Sequence, residues 1–284
     1  MTHDLLSLRV PLLLAEGQDL DGRPIPRWWG EAAHQLTIKV IASRDEALAK
    51  ELEASQTMKP FTVSNLRGRF PGGRIDPASV YRLRFTALDR RVAEVFEAAR
   101  TEGMLREGET VELDFIRFKV PEKEALVPIE MEGASYQSLT NLLFSASPPP
   151  RTLLMDFFTP TLFKKGPVQV PYPMPDLVFG SLLEHWNASP FVPTQLPDEA
   201  RKYAQECLRV GRFKLESRTL KMYGETFRGF VGRVKFVTLN YDRYWMGIMT
   251  MLAQYAAYSG VGAKTTMGLG QCALLPEPPA PAAS

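Results

Sequence analysis

An α+β fold with antiparallel sheets is what the 284-residue sequence predicts. Three observations predict it. The first half runs strand, helical region, strand, strand, helix, strand, and the second half repeats that order less cleanly. Hydrophobic residues make up 45% of the chain and charged residues 23%, the balance of a globular protein. The length exceeds that of a typical single domain, so two domains of moderate size are expected.

Leu5–Leu14 is rich in Leu and Val and reads as a largely buried strand; "LDGRPIP" after it is a loop. Trp28–Ile41 and Asp45–Ala54 have helical composition. Lys59–Leu66 ("KPFTVSNL") and Ser79–Leu88 ("SVYRLRFTAL") alternate with β-branched and aromatic residues, joined by a hairpin-like "RGRFPGGRIDP". Arg90–Thr101 spaces Val92, Val95 and Phe96 along one helical face. Glu109–Val120 ("ETVELDFIRFKV") alternates as one half-buried strand. This is the β-α-β-β-α-β, ferredoxin-like order, an antiparallel sheet with its helices on one face.

In the second half "RTLLMDFFTPTLF" is strand-like, Pro175–Ser189 is helical, and "RFKLESRTLKMY" and "FRGFVGRVKFVTL" are strands. "RYWMGIMTMLAQYAAYSG" is an apolar helix closed by Gly260, and "GQCALL" is a short last strand. Ser145–Thr152 ("SASPPPRT") is surface punctuation near the boundary, and "PEPPAPAAS" is a disordered Pro/Ala tail.

The N-terminal apolar run is interrupted by Asp4 and Arg9 and lacks a basic leader and a cleavage site, which points to a strand and not a signal peptide. No apolar run reaches membrane-spanning length, so a cytoplasmic, membrane-free protein is expected. Cys207 and Cys272 lie far apart, without metal-ligand spacing, and read as reduced thiols. Net charge is only +2, yet arginines and lysines crowd residues 65–91 and 209–235. Such segments suit a polyanion, or are solvated strand surfaces; charge alone leaves both open.

"SGVGAKTTMGLGQCALL" places four glycines around a small polar stretch with one lysine. A nucleotide P-loop needs strand, loop, helix, and here the order is helix, loop, strand. A dinucleotide fingerprint fails as well, since residue 265 is not glycine. Two readings remain. The loop lets backbone amides approach a phosphate chain, with Lys264, Thr265 and Thr266 as donors, or it is a tight helix-to-strand crossover.

"YSGVGAKTTMGLGQCALL", preceded by "FRGFVGRVKF", resembles the C-terminal signature of the CRISPR-associated RAMP proteins, closest to repeat-RNA endoribonucleases of the Cas-six type. "ALAKELEASQTMKPFTVSNL" is similar to that family's segment ending in "KPFTVSPL", and "LVFGSLLEHWN" to its mid-chain helix. The resemblance implies two tandem ferredoxin-like (RRM-like) domains: 1–125 with the catalytic region, 126–275 with the glycine-rich RNA-binding loop, and 276–284 as tail. It also implies cleavage of CRISPR precursor RNA in its repeat, without metal or cofactor. The ribose 2′-hydroxyl attacks the adjacent phosphate to leave a cyclic phosphate and a 5′-hydroxyl.

That reaction needs a base, an acid and a cation for the developing charge. Of three histidines, His3 is terminal and His185 sits in a helix beside Trp186, where a structural role fits. A lone helical histidine such as His34 is more often structural too, but the resemblance implies catalytic groups in its region and so points to His34 for proton transfer, the other readings being Glu53 or a slow or lost cut. Where the family has Leu-His ahead of "KPFT" this chain has Leu52-Glu53, so Glu53 stands as a weak substitute and Lys59 as the cation. Arg67 and Arg69 are candidates for the scissile phosphate or the RNA stem. Arg212, Lys214, Arg218, Arg233 and Lys235 fall on strands suited to an A-form hairpin, and Gly262, Lys264, Thr265, Thr266 and Gly268 on the glycine loop. The partner is CRISPR repeat RNA, with other effector subunits and a monomer or homodimer left open. Two further readings stay open: a non-cutting RNA-holding subunit of an effector complex, and a ferredoxin-like protein for another phosphorylated ligand.

Overall fold

The computed structural model describes residues 3–18, 20, 24–55, 57–122 and 128–276. The elements run β1 (Leu5–Leu14), α1 (Gly30–Ala42), α2 (Glu46–Ala54), β2 (Phe61–Val63), β3 (Tyr81–Ala87), α3 (Arg90–Glu102), β4 (Thr110–Leu113), β5 (Ile116–Lys119), β6 (Glu130–Ala134) and α4 (Tyr136–Thr140). There follow β7 (Thr152–Thr161), β8 (Phe163–Lys165), β9 (Val168–Val170), α5 (Pro175–Asn187), α6 (Glu199–Cys207), β10 (Leu208–Met222), β11 (Glu225–Thr238), α7 (Arg243–Ser259) and β12 (Cys272–Leu275). The chain forms two compact units. One takes the residues up to Tyr136 with Leu220–Phe227 and Lys264–Leu269; the other takes Gln137–Thr219, Arg228–Ala263 and the chain from Gly270 on.

The first unit is built on β1. Its residues Leu6–Leu12 pair antiparallel with β3, Leu6 opposite Ala87 and Leu12 opposite Tyr81. On its other edge β6 pairs with the first half and β5 with Leu13 and Leu14. The order β2-β3-β1-β5-β4 is the ferredoxin-like arrangement. Leu6, Leu8, Val10 and Leu12 form the core with Leu83 and Phe85 of β3, Ala33, Leu36 and Val40 of α1, and Val92 and Phe96 of α3. Two helix starts are fixed locally: the Asp45 carboxylate accepts from the Leu48 N–H at 2.8 Å, and Asp89 from the Arg91 N–H at 2.6 Å. The start of α1 is capped from a distance, by the Asn65 side chain accepting from the Trp29 N–H at 2.7 Å.

The segment Glu109–Val120 is a hairpin and not one strand. It folds at Asp114-Phe115, with Asp114 at φ 56°, and Val111 and Leu113 of β4 face the core alongside Ile116 and Phe118 of β5. An apolar residue at every second position on both sides of a two-residue turn looks like continuous alternation. The strand expected over Lys59–Leu66 is only three residues long.

The second unit repeats the topology, its sheet ordered β10-β11-β7-β12 with all recorded pairs antiparallel. Phe157 of β7 and Phe236 of β11 pack under α5 and α7, where Phe179 meets Phe236 and Trp186 meets Tyr255 edge to face. The helix α6, the β8–β9 hairpin, β6 and α4 have no counterpart in the sequence reading. Both cysteines are free thiols. Of the tail beyond residue 275, residues 277–284 lie outside the described residues. Among the described residues no helix is long and apolar enough to cross a membrane.

His185 has the structural role expected of it. Its ring is buried, donating to the backbone of Ser259 and Gly260 while Nδ1 has no hydrogen-bond partner, and burial lowers its pKa to about 4. A folded-state pKa below the ordinary 6.5 means that protons bind the unfolded chain first. Stability is therefore full above pH 6.5 and falls between pH 6.5 and about 4, by up to about 3 kcal/mol from this group. Urea melts across that range check it: a His185→Gln variant is expected to lose that share of the acid slope, and an unchanged slope would exclude His185 as its source.

Candidate active site around His34

The site lies in the first unit, where the stretch Lys264–Leu269 packs on α1 and β2. Gly268 makes a parallel bridge to Ser64 at the end of β2. Its backbone has φ +85°, and a Cβ there would lie 2.7 Å from the Asn65 nitrogen, so both conformation and space call for glycine. Asn65 thus joins three pieces: its backbone lies against Gly268, its side chain caps α1, and it sits two residues after the end of β2. The carbonyl of Met267 accepts from the Trp28 indole N–H at 3.0 Å.

One residue earlier the Thr266 carbonyl lies 3.0 Å from Nδ1 of His34. A carbonyl only accepts, so Nδ1 carries the proton and, in the neutral ring, Nε2 presents the lone pair. The ring is buried and stacks on Phe61 of β2 with centroids 5.6 Å apart. Burial is the main cause that lowers its pKa; the positive charges of Lys59 and Lys264 push the same way, while the Thr266 carbonyl and Glu53 oppose them. His34 is therefore neutral at pH 7, with its base nitrogen defined.

Lys59 precedes β2, and its ammonium donates to the Leu52 carbonyl near the end of α2. Burial lowers its pKa and Glu53 counters that. Glu53 itself is exposed. Lys264 is one of three described non-glycine residues with positive φ, at 63°, and its carbonyl accepts from the Met267 and Leu269 amides. Thr265 is buried and Thr266 half-buried. The structure thus gathers His34, Glu53, Lys59, Lys264, Thr265, Thr266 and Gly268 within one unit. Arg67 and Arg69 are exposed in the connection after β2; the Arg67 backbone bridges that of Arg82, and the Arg69 carbonyl accepts from the Tyr81 hydroxyl.

The remaining candidates belong to the second unit. Arg212, Lys214 and Arg218 are exposed along the edge strand β10, Arg218 paired with Glu216 at 2.5 Å. Arg233 of β11 is paired with Asp156 of β7 at 3.0 Å, and Lys235 is half-buried. Gly262 has φ +82°, and a Cβ on it would fall 2.3 Å from the Leu162 carbonyl oxygen. Its amide donates to the Ser181 hydroxyl, and the Val261, Ala263 and Gly270 amides donate to backbone carbonyls. In that arm the glycines serve close packing. Trp28, Gly30 and Asn65, which surround the His34 contact, are absent from the sequence-based set; the only signals for them are Gly opening a helix and Asn closing a strand. Among the described residues no three His, Cys, Asp or Glu are grouped to hold a metal ion.

The family model for the CRISPR-associated endoribonuclease Cas6 matches residues 155–272. A CRISPR-associated endoribonuclease Cas6 of Mycobacterium tuberculosis is 30% identical over 139 residues, covering 48% of this chain and 43% of that protein. One of Streptococcus thermophilus is 25% identical over 114 residues, covering 40% of this chain and 46% of its own. The matched stretch spans less than half the length of these curated relatives. Over nearly the whole chain the fold is that of a Thermus thermophilus Cas6 solved as a product complex, with TM-score 0.75, 23% identity, and 97% and 100% of the two chains covered. A second Cas6 product complex gives a TM-score of 0.72 at 25% identity, covering 96% of this chain and 99% of its own. With its two ferredoxin-like units and its glycine-rich segment on α1, the chain is similar to the Cas6 endoribonucleases: in sequence over residues 155–272, and in fold over nearly its whole length.

Proposed function

We propose that this protein is a metal-independent endoribonuclease that binds CRISPR precursor RNA and cuts it within the repeat, in the cytoplasm. The observation that carries the reading is the His34 ring, buried, neutral and fixed by the Thr266 carbonyl so that Nε2 is the basic atom. Cas6 relatives named as endoribonucleases and Cas6 structures with product and with substrate mimic support it.

In this mechanism Nε2 of His34 takes the proton of the ribose 2′-hydroxyl. The 2′-oxygen bonds to the adjacent phosphorus, the bond to the 5′-oxygen breaks, and that oxygen leaves with a proton from solvent. A 2′,3′-cyclic phosphate and a 5′-hydroxyl result. Lys59, with two N–H donors left after its bond to Leu52, and Lys264 stabilise the charge that develops on the phosphoryl oxygens. Glu53 favours the charged form of Lys59 against its burial. Arg67 and Arg69 hold the RNA near the cut; Arg212, Lys214, Arg218, Arg233 and Lys235 grip its backbone, the exposed ones of β10 most strongly.

Labelled repeat RNA incubated with the protein in EDTA tests the reaction. The wild-type protein is expected to leave a cyclic phosphate, and His34→Ala to cut about 10²–10⁴-fold more slowly. Tight binding without a cut by the wild type would make the chain an RNA-holding subunit. Because the pKa of His34 lies below the ordinary 6.5 and its base form is needed, single-turnover cleavage should be level above about pH 7.5 and fall as the pH drops, with its midpoint below 6.5. A rate that declines from pH 6.5 upward would assign His34 as the acid. RNA affinity should fall steeply with salt, and the Arg212→Ala/Lys214→Ala double variant should reduce the log–log slope by about 2, which titrations between 50 and 300 mM salt would measure.

A further inference from the structure

We propose that Gly30, the first residue of α1, is a positioning residue that sets the tautomer of His34. The inference rests on the reading of His34 as the base. Gly30 is buried where α1 meets the stretch Lys264–Leu269. A Cβ built on it would lie 1.9 Å from the Met267 carbonyl oxygen, 2.7 Å from the Met267 carbonyl carbon and 2.3 Å from the Trp28 indole nitrogen. Real Cβ contacts essentially never fall under 3.0 Å, so with any side chain at residue 30 the Met267 carbonyl must retreat by about 1 Å. The atoms in the way are backbone and a hydrogen-bonded ring, not the end of a flexible side chain.

His34 lies one turn beyond Gly30, so the two share a face of α1. On that face two consecutive carbonyls are docked: Met267 against Gly30 and the Trp28 indole, and Thr266 on His34 Nδ1. The two carbonyls lie in successive peptide planes that share the Met267 Cα, so a shift of the Met267 carbonyl is passed to the Thr266 carbonyl unless the two dihedrals of Met267 absorb it. From the other side Gly268 fits against the Asn65 nitrogen, and Asn65 caps the helix that carries His34. The segment 266–268 is thus held between two glycines, each placed where a methyl group would force it off. Displacing it by about 1 Å breaks the 3.0 Å contact that keeps the proton on Nδ1. The ring is then free to carry that proton on Nε2, where a 2′-hydroxyl would meet a donor instead of a base.

The test compares wild type, Gly30→Ala and Gly268→Ala, each first checked for a folded near-UV spectrum. Long-range 1H–15N spectra of 15N-histidine-labelled protein report the His34 tautomer directly, with His34→Ala giving the assignment. Wild type is expected to show a protonated Nδ1, and Gly30→Ala a loss of that form, with single-turnover cleavage at saturating RNA slowed about 100-fold and the RNA Kd within about threefold of wild type. Gly268→Ala approaches the same contact from its other side and should give the same signature, so the test stands if Gly30→Ala fails to fold. A Gly30→Ala protein with the wild-type tautomer and rate overturns the inference while leaving His34 as the base if His34→Ala is inactive. A shifted tautomer with an unchanged rate overturns both the inference and the reading of His34.

Discussion

The hydrogen bond from His34 to the Thr266 carbonyl is the constraint on which the site depends. A histidine has two nitrogens and, when neutral, one proton; an arrangement that does not say where the proton sits does not define a base. Here a main-chain acceptor decides it, and the burial that keeps the ring neutral also makes that one bond count, because a buried ring has little water to turn to instead. Everything nearby serves to bring residues about 230 positions apart in sequence to within 3.0 Å: the cap of Asn65 on α1, the bridge from Ser64 to Gly268, and the Trp28 indole on the next carbonyl.

Much of the fold was legible because its signals are local. β1, α2, α3 and α7 lie within a residue or two of where composition and periodicity put them, with Asp45 and Asp89 as readable caps. The hairpin at Asp114-Phe115 was hidden because Asp-Phe is a weak turn signal and apolar residues continue at every second place. Helix α6 and the β8–β9 hairpin were missed for a different reason: α6 buries only Ala200, Tyr203 and Ala204, with none of the leucines that mark α2, and the hairpin pairs three residues with three, too few to establish a period.

The site was legible only as side chains. His34 and Lys59 were reached through the family resemblance, which implies catalytic groups in the first helical region and carries the "KPFT" segment. The group that gives His34 its chemistry is a carbonyl, which every residue has, so Thr266 entered the candidate set through its hydroxyl and acts through its backbone. Glycine carries the opposite ambiguity. Four of them suggested a loop open to phosphate, yet the fit of Gly262 against Leu162 and of Gly268 against Asn65 is about protein meeting protein. A glycine announces close approach without saying what approaches.

The charges around His34 pull in opposite directions, and the balance has a chemical sense. A cation that stabilises a phosphorane also lowers the proton affinity of a base beside it, and a weaker base takes a 2′-hydroxyl proton less readily. Burial adds to that loss. The Thr266 carbonyl and Glu53 act against it at the ring, and Glu53 acts against burial at Lys59 as well. In the proposed reaction Glu53 acts through its charge: exposed, it raises the proton affinity of both His34 and Lys59. A carboxylate in the position where the family resemblance expects histidine is thus compatible with a cutting site, provided that His34 is the one group that moves the proton.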